Sequence, residues 1–303
     1  MLQDPAQRPA AREVLDAIIK MDPSAHVDGP IVLYPVNYAL PAACTMISLL
    51  SAAIPDNTAI QAVAADAEAH VHTASVQRIV ADLRLTALEA QSIFVYTASQ
   101  GAHVCPLLGA PFSSYNVALR NAEADAVGWS GYSFLLYNAL LKLPSVALTV
   151  YRGLNVPLSQ VSHLYRRGGF VWYRSPTSTT TDKNRTMTSF GEGAGDGAGT
   201  FVELRVQNAK DIQPFSSVPD EQEFLIPQNT CFKVVQALSA SDIGQLHAFS
   251  DLPLNVDLVV LEEVTIIELH RGYFFAHIAR QVSEGSADYN AALLTSHSPV
   301  LNA

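Results

Sequence analysis

The sequence predicts an α+β fold with its helices in the N-terminal half and its strands in the C-terminal half, on three observations. Residues 57–92 and 112–143 repeat apolar side chains every three to four positions, as helices buried on one face do. From residue 146 the period falls to two. Val146, Leu148 and Val150 alternate with Ala147, Thr149 and Tyr151, and Val202, Leu204 and Val206 alternate with Phe201, Glu203 and Arg205, the spacing of strands. Third, 49% of the 303 residues are hydrophobic and only 15% charged, ample apolar material for a large core. Helices grouped ahead of strands pack beside a sheet rather than crossing over between parallel strands.

Taken in order, the chain opens with MLQDPAQRPAAREVLDAIIK, a proline-punctuated lead-in and a helix carrying Val14, Leu15, Ile18 and Ile19 on one face. Residues 1–20 resemble the closing segment of a protein kinase domain, with Arg8 as its arginine. No Gly-rich phosphate loop, H-R-D or D-F-G accompanies that segment, so phosphoryl transfer by this chain is not supported. The stretch from Pro30 to Pro55 carries no charged residue, but Pro35, Asn37 and Pro41 interrupt it. That leaves Ala42 to Ile54 as an apolar helix, too short for the ~20 residues of a membrane span. Helices follow through Val76, Ile79, Val80, Leu83 and Leu88, and again through Val117, Leu119, Tyr132, Leu135, Leu136 and Leu140 up to Pro144. Beyond the two alternating strands, further strands are expected at 169–174, 177–181, 222–226, 231–236 and 257–269, and Gly191 to Gly199 reads as a loop.

Lys and Arg number 18 against 28 Asp and Glu, a net charge of −10 that argues against nucleic acid as a partner. Cys44, Cys105 and Cys231 are far apart with no C-x-x-C spacing, so neither a disulfide framework nor a thiolate metal site is indicated. A reducing, cytoplasmic location is the expectation, since the N-terminus lacks the apolar core of a signal peptide. His70 and His72 form an H-x-H, but on a helix these positions face different ways and no third ligand is spaced nearby, so no metal is expected. Gly128, Ser130 and Gly131 fall short of a nucleophile elbow. Gly193, Gly195 and Ala198 lead into a strand rather than a helix, the wrong context for a dinucleotide-binding turn.

Three features point to chemistry. Arg152 and Gly153 close a strand, in a region where Arg152, Arg166, Arg167, Arg174, Lys183 and Arg185 face only Asp182 in an otherwise acidic chain. A guanidinium fixed by a strand can grip a phosphate with two parallel hydrogen bonds, and glycine lets a ligand approach the backbone. Ser178, Thr179, Thr180 and Thr181 make a hydroxyl-rich strand that either lines a polar site or is an exposed edge. Glu221, Gln222 and Glu223 precede the apolar run Phe224 to Ile226. If this is strand, the two carboxylates share a face roughly 6.6 Å apart, although E-x-E is also common on solvated strands.

In this order the three pieces resemble the R-S-E signature of arginine-specific mono-ADP-ribosyltransferases: Arg152, then Ser178 to Thr180, then Glu221 to Glu223. The flanking YRGL, the VW before the serine strand, EQEFLIPQNTCFKVV, and the helical stretch ending in LKLP are similar to that family as well. The chain departs from the family at Pro176, where an aromatic often stands, and at Thr180, where the third hydroxyl is a serine. Arg152 stands where the related H-Y-E class has histidine.

The resemblance covers residues 85–270. It implies a catalytic domain there, with a helical lobe packed on two roughly perpendicular sheets, a helical extension over 21–84 and a tail over 271–303. It implies NAD as a substrate and no metal, with an acceptor arginine on a target protein. Arg152 would hold the phosphates, the Gly153 backbone would meet the nicotinamide amide, and Ser178 and Thr180 would support the nicotinamide ribose and Glu223. Phe190, on a loop over 183–199, would stack on the ligand, and Phe215, on the loop from Gln213 to Asp220, would face the target. Glu223 would stabilise the oxocarbenium-like ribose, and Glu221 would prepare the acceptor guanidinium. With water as acceptor the same site would be an NAD glycohydrolase, and without turnover it would be an NAD-binding or partner-binding module.

Overall fold

The computed structural model describes residues 40–264 except 42, 100, 107–108, 122–126, 188–198 and 247–255. All of them but Val264 belong to one unit, Gly29–Glu263. The kinase-like segment 1–20, the tail 271–303, Phe190 and the glycine-rich stretch 191–198 lie outside the described residues.

Among the described residues the N-terminal half holds the helices α1 (Met46–Ala53), α2 (Ile60–Val71), α3 (Ala74–Asp82), α4 (Ala87–Thr97), α5 (Pro111–Asn121) and α6 (Ser130–Lys142). Threonines start two of them. Thr45 accepts the Ser48 N–H at 3.1 Å, and Thr86 accepts the Glu89 N–H at 3.2 Å while the Glu89 carboxylate takes the Thr86 N–H at 2.6 Å. These reciprocal bonds satisfy amides that a helix start leaves unpaired. The Glu89 carboxylate also binds Lys142 Nζ at 2.7 Å, tying the start of α4 to the end of α6.

Among the described residues seven strands follow: β1 (Ser145–Leu154), β2 (Phe170–Tyr173), β3 (Thr177–Thr180), β4 (Thr200–Asp211), β5 (Glu223–Ile226), β6 (Thr230–Leu238) and β7 (Asp257–Glu263). Short helices α7 (Leu158–Val161) and α8 (Ala240–Leu246) interrupt them, which the sequence periodicity does not show. One ladder runs β1-β4-β7-β6-β2 and a second pairs β3 with β5. The two are continuous rather than separate, because β1 meets β3 at Tyr151–Thr180 and β4 meets β5 at Lys210–Leu225 and Asp211–Phe224. All pairs are antiparallel except β4 with β7.

Alternation along β4 explains how the sheet is buried on both sides. Val202, Leu204 and Val206 pack into one core with Val150, Phe232, Val259 and Leu261. Phe201 packs into another with Ile243, Leu258 and Val260. A third and larger core joins α1–α6 to the sheet through Ile212, Phe215 and Leu225. The segment expected as an extension, 21–84, contributes Leu50, Ile60, Val63 and Val71 to that same core, so residue 85 falls inside it. Among the described residues no helix is long and apolar enough to cross a membrane.

Candidate active site

β1 and β3 pair only at Tyr151 and Thr180, and a cavity of about 340 Å³ opens where they part. Tyr151, Arg152, Gly153 and Asn155 line it from β1 and the turn after it. Ser178, Thr179 and Thr180 line it from β3, Arg185 and Thr186 from a helical turn over 183–187, and Glu221 and Glu223 from the approach to β5. The three sequence features therefore converge on one space. Of the six basic residues between 150 and 185, only Arg152 and Arg185 reach it.

The sheet holds Glu223, Ser178 and Thr180. Glu223 opens β5 opposite Thr180 of β3, and its carbonyl accepts the Ile212 N–H at 3.3 Å, so its backbone is fixed on both edges. Ser178 stands two residues back from Thr180 on the same face, the diagonal position from Glu223. Glu223 is 6% exposed. Burial raises its carboxyl from the ordinary 4.5 to about 7, offset in part by the Ser178 hydrogen bond and assisted by the neighbouring charge of Glu221. Thr180 holds the turn itself, donating from its hydroxyl to the Glu221 carbonyl at 3.0 Å. Among the described residues no carboxylate forms an ion pair with Arg152, so its guanidinium is available to an anionic ligand.

The E-x-E is not the strand expected from its sequence. Pro219–Glu221 is a 3-10 turn, Gln222 is left-handed at φ 47°, and the strand begins at Glu223. The carboxylates thus reach one cavity from a turn and a strand, not from alternate positions of one face. Thr181 steadies the turn, its hydroxyl donating to Gln222 Oε1 at 3.2 Å. Glu221 is half-buried and its Oε1 receives Arg185 Nη2 at 2.8 Å, while Arg185 Nη1 donates to the Asp220 carbonyl at 3.3 Å.

Phe215 is also corrected. The 3-10 turn Gln213–Phe215 directs the ring inward, where it is 1% exposed in the helical core and unable to face a target. The histidines of the H-x-H diverge as expected on a helix. His70 Nε2 lies 3.1 Å from the Pro214 carbonyl, and His72 Nδ1 lies 3.4 Å from Gln77 Nε2. No metal-holding group of three such side chains occurs among the described residues.

Sequence reasoning leaves out several neighbours. Asn155 and Thr186 carry no spacing signal, and Arg185 is legible as charge but not as the partner of Glu221. The end of α4 is the larger omission. Tyr96 donates its hydroxyl to the Pro176 carbonyl at 2.6 Å, just ahead of β3. The Thr97 hydroxyl accepts the Ser217 N–H at 2.8 Å, and the Ser217 hydroxyl donates to the Thr97 carbonyl at 2.8 Å, just ahead of the E-x-E turn. Neighbouring residues of one helix thereby set the approach of both cavity walls.

Comparison with known proteins agrees with this arrangement. The family model described as NAD:arginine ADP-ribosyltransferase matches residues 48–249. The chain is 32% identical over 127 residues to a Mycobacterium avium (strain 104) protein named "Putative NAD(+)--arginine ADP-ribosyltransferase Mav". That match covers 42% of this chain and 14% of the relative, so the chain spans only a small part of the relative's length. Its fold is similar to a 70-residue N-terminal truncation of the type III effector XopAI from Xanthomonas axonopodis pv. citri, with TM-score 0.51, 14% identity, and coverage of 85% of this chain and 100% of that one. The ADP-ribosyltransferase HopU1 of Pseudomonas syringae pv. tomato aligns with TM-score 0.44 and 24% identity over 58% of this chain and 76% of that one. The matched family segment takes in every residue lining the cavity together with most of the helical core behind it, and on that extent the chain belongs to the NAD:arginine ADP-ribosyltransferase family.

Proposed function

We propose that this chain transfers ADP-ribose from NAD to the guanidinium of an arginine on a target protein, releasing nicotinamide. The observation that carries this is the meeting of Arg152, Ser178, Glu221 and buried Glu223 around one cavity. Arg152 presents a planar fork to the paired phosphates, and the Gly153 backbone lies beside it for the nicotinamide amide. Nicotinamide leaves as a neutral molecule, so its departure calls for no acid. What the departing bond leaves behind is an oxocarbenium-like ribose, and a carboxylate in a buried site stabilises that cation strongly because little water screens it. Glu223 takes that role, with Ser178 orienting it and Thr180 holding the turn in place. A protonated guanidinium is a poor nucleophile. Glu221, on the more open side of the cavity, takes its proton as the new bond forms.

Glutamine at each carboxylate separates the roles. Nicotinamide release from NAD is measured beside ADP-ribosylation of agmatine, a small guanidine acceptor. Glu223→Gln should depress both by at least ~10²-fold, the scale for losing one preorganised electrostatic contact. Glu221→Gln should lose transfer to agmatine while slow hydrolysis of NAD to water persists, because cleavage of the glycosidic bond does not use that group. Full activity in the Glu223 variant would refute the proposal, and equal loss of both activities in the Glu221 variant would refute the division of labour.

A further inference from the structure

We propose that Arg185 is a positioning residue that sets Glu221 for a guanidine acceptor, and so decides whether the site passes ADP-ribose to arginine or to water. The inference rests on the function proposed above and deepens it. Taking a proton from the acceptor needs a carboxylate oxygen at one fixed place, and the backbone of Glu221 does not provide that by itself. Glu221 stands on a 3-10 turn beside left-handed Gln222, with a side chain of several rotatable bonds. Arg185 supplies the constraint. Its Nη2 donates to Glu221 Oε1 at 2.8 Å and its Nη1 to the Asp220 carbonyl at 3.3 Å. One planar guanidinium thus ties the carboxylate to the backbone just before it, and a flat fork fixes direction where a point charge would not. With Oε1 engaged, Oε2 is the oxygen left for the acceptor.

The arginine is itself placed from the end of β3. Thr180 Oγ1 accepts the Asp182 N–H at 3.1 Å, and the Asp182 carboxylate accepts the Arg185 N–H at 2.9 Å. The same Thr180 hydroxyl donates to the Glu221 carbonyl at 3.0 Å. These bonds close a ring that runs from Thr180 through Asp182 and Arg185 to Glu221 and back to Thr180. Glu221 is therefore held at its carbonyl and at its carboxylate by one short segment of the opposite wall. Glu223 does not depend on Arg185, because the β3–β5 ladder and the bond to Ile212 fix its backbone. Loss of Arg185 thus disturbs the acceptor side of the cavity and leaves the group proposed for glycosidic cleavage in place. The ion pair is 44% exposed on the arginine side and 33% on the glutamate side, so it adds little to stability, and what it contributes is direction.

The test incubates the full chain with NAD and agmatine and measures ADP-ribosyl-agmatine and free ADP-ribose together, which gives the ratio of transfer to hydrolysis. In Arg185→Ala that ratio should fall at least about tenfold, since a displacement of about 1 Å at a reacting group can cost about 10²-fold. The loss should appear in kcat for transfer. KM for agmatine should not rise, because a Glu221 carboxylate without Arg185 still attracts the cation, and the melting temperature should stay close to the wild type. Arg185→Lys keeps the charge without the fork and should recover part of the ratio; if the Ala variant does not fold, the Lys variant carries the comparison alone. An unchanged ratio, or a rise in KM for NAD in place of the loss in kcat, would overturn the inference, the second by making Arg185 a grip on NAD. Equal loss of transfer and hydrolysis with a lowered melt would overturn it as well. In each of these cases wild-type transfer to agmatine leaves the proposed function standing. If the wild type neither releases nicotinamide nor labels agmatine, the proposed function falls and takes this inference with it.

Discussion

Glu223 shows what a buried charge demands of a single residue. The folded protein holds its carboxyl proton up to about pH 7, whereas in the unfolded chain the group ionises near its ordinary 4.5. Between those values the folded state binds more protons, so stability that is fully present below about 4.5 is lost as pH rises through about 7. Above that window the cost of keeping the carboxylate buried is on the order of 3 kcal/mol at about 1.4 kcal/mol per pH unit. Glutamine removes the charge and can still accept from Ser178. Glu223→Gln should therefore melt higher than the wild type at about pH 8 and the same at about pH 4. An equal or lower melting temperature at the higher pH would show that the charge is not held at this cost. A residue that is unfavourable for folding yet sits where the cation forms is the pattern expected of a functional site.

At the scale of elements, α4 connects the helical core to the chemistry. Its capping box and Lys142 fix its start, and Tyr96 and Thr97 fix at its end the two segments that lead into β3 and the E-x-E turn. Thr97→Val keeps the shape of the side chain but leaves the Ser217 N–H without its acceptor. The bond is only part-buried, so the expected loss is about 1 kcal/mol, the low end for a donor left unsatisfied. A looser turn should lower kcat for transfer more than it raises KM for NAD, because the residues proposed for NAD binding on β1 and β3 stay in place. Thr97→Ser should restore both stability and kcat. Thermal melts with steady-state kinetics on the two variants check this, and a Val variant whose kcat and KM both match the wild type would remove α4 from the positioning of the turn.

At the scale of the whole molecule, the helices before residue 85 and the catalytic walls share one core. Leu50 and Val63 are fully buried in it together with Leu225 of β5. A chain beginning at residue 85 should lose its cooperative thermal transition, since removing α1–α3 exposes the apolar faces of α4 and α6. Retention of the wild-type melt would show that this core has two independent parts. Much of this protein was legible in its sequence, because periodicity is local. Alternation at Val202, Leu204 and Val206 needs only neighbouring residues to declare a strand, and the apolar spacing through Leu135, Leu136 and Leu140 likewise declares a helix. Arg152, Ser178 and the two glutamates were legible as a set because their chemistry is tied to residue type and order. Three features were not: Gln222 in a left-handed conformation, Phe215 in the core, and Arg185 against Glu221. Glutamine has no intrinsic preference for that backbone, phenylalanine reads the same in an exposed loop as in a core, and ion-pair partners 36 residues apart carry no period. Sequence by itself determined the longer helices and strands and the chemistry they carry. Only the tertiary structure decided which side chains meet, because those contacts depend on where β3 and β5 pair and on how the helical core holds them there.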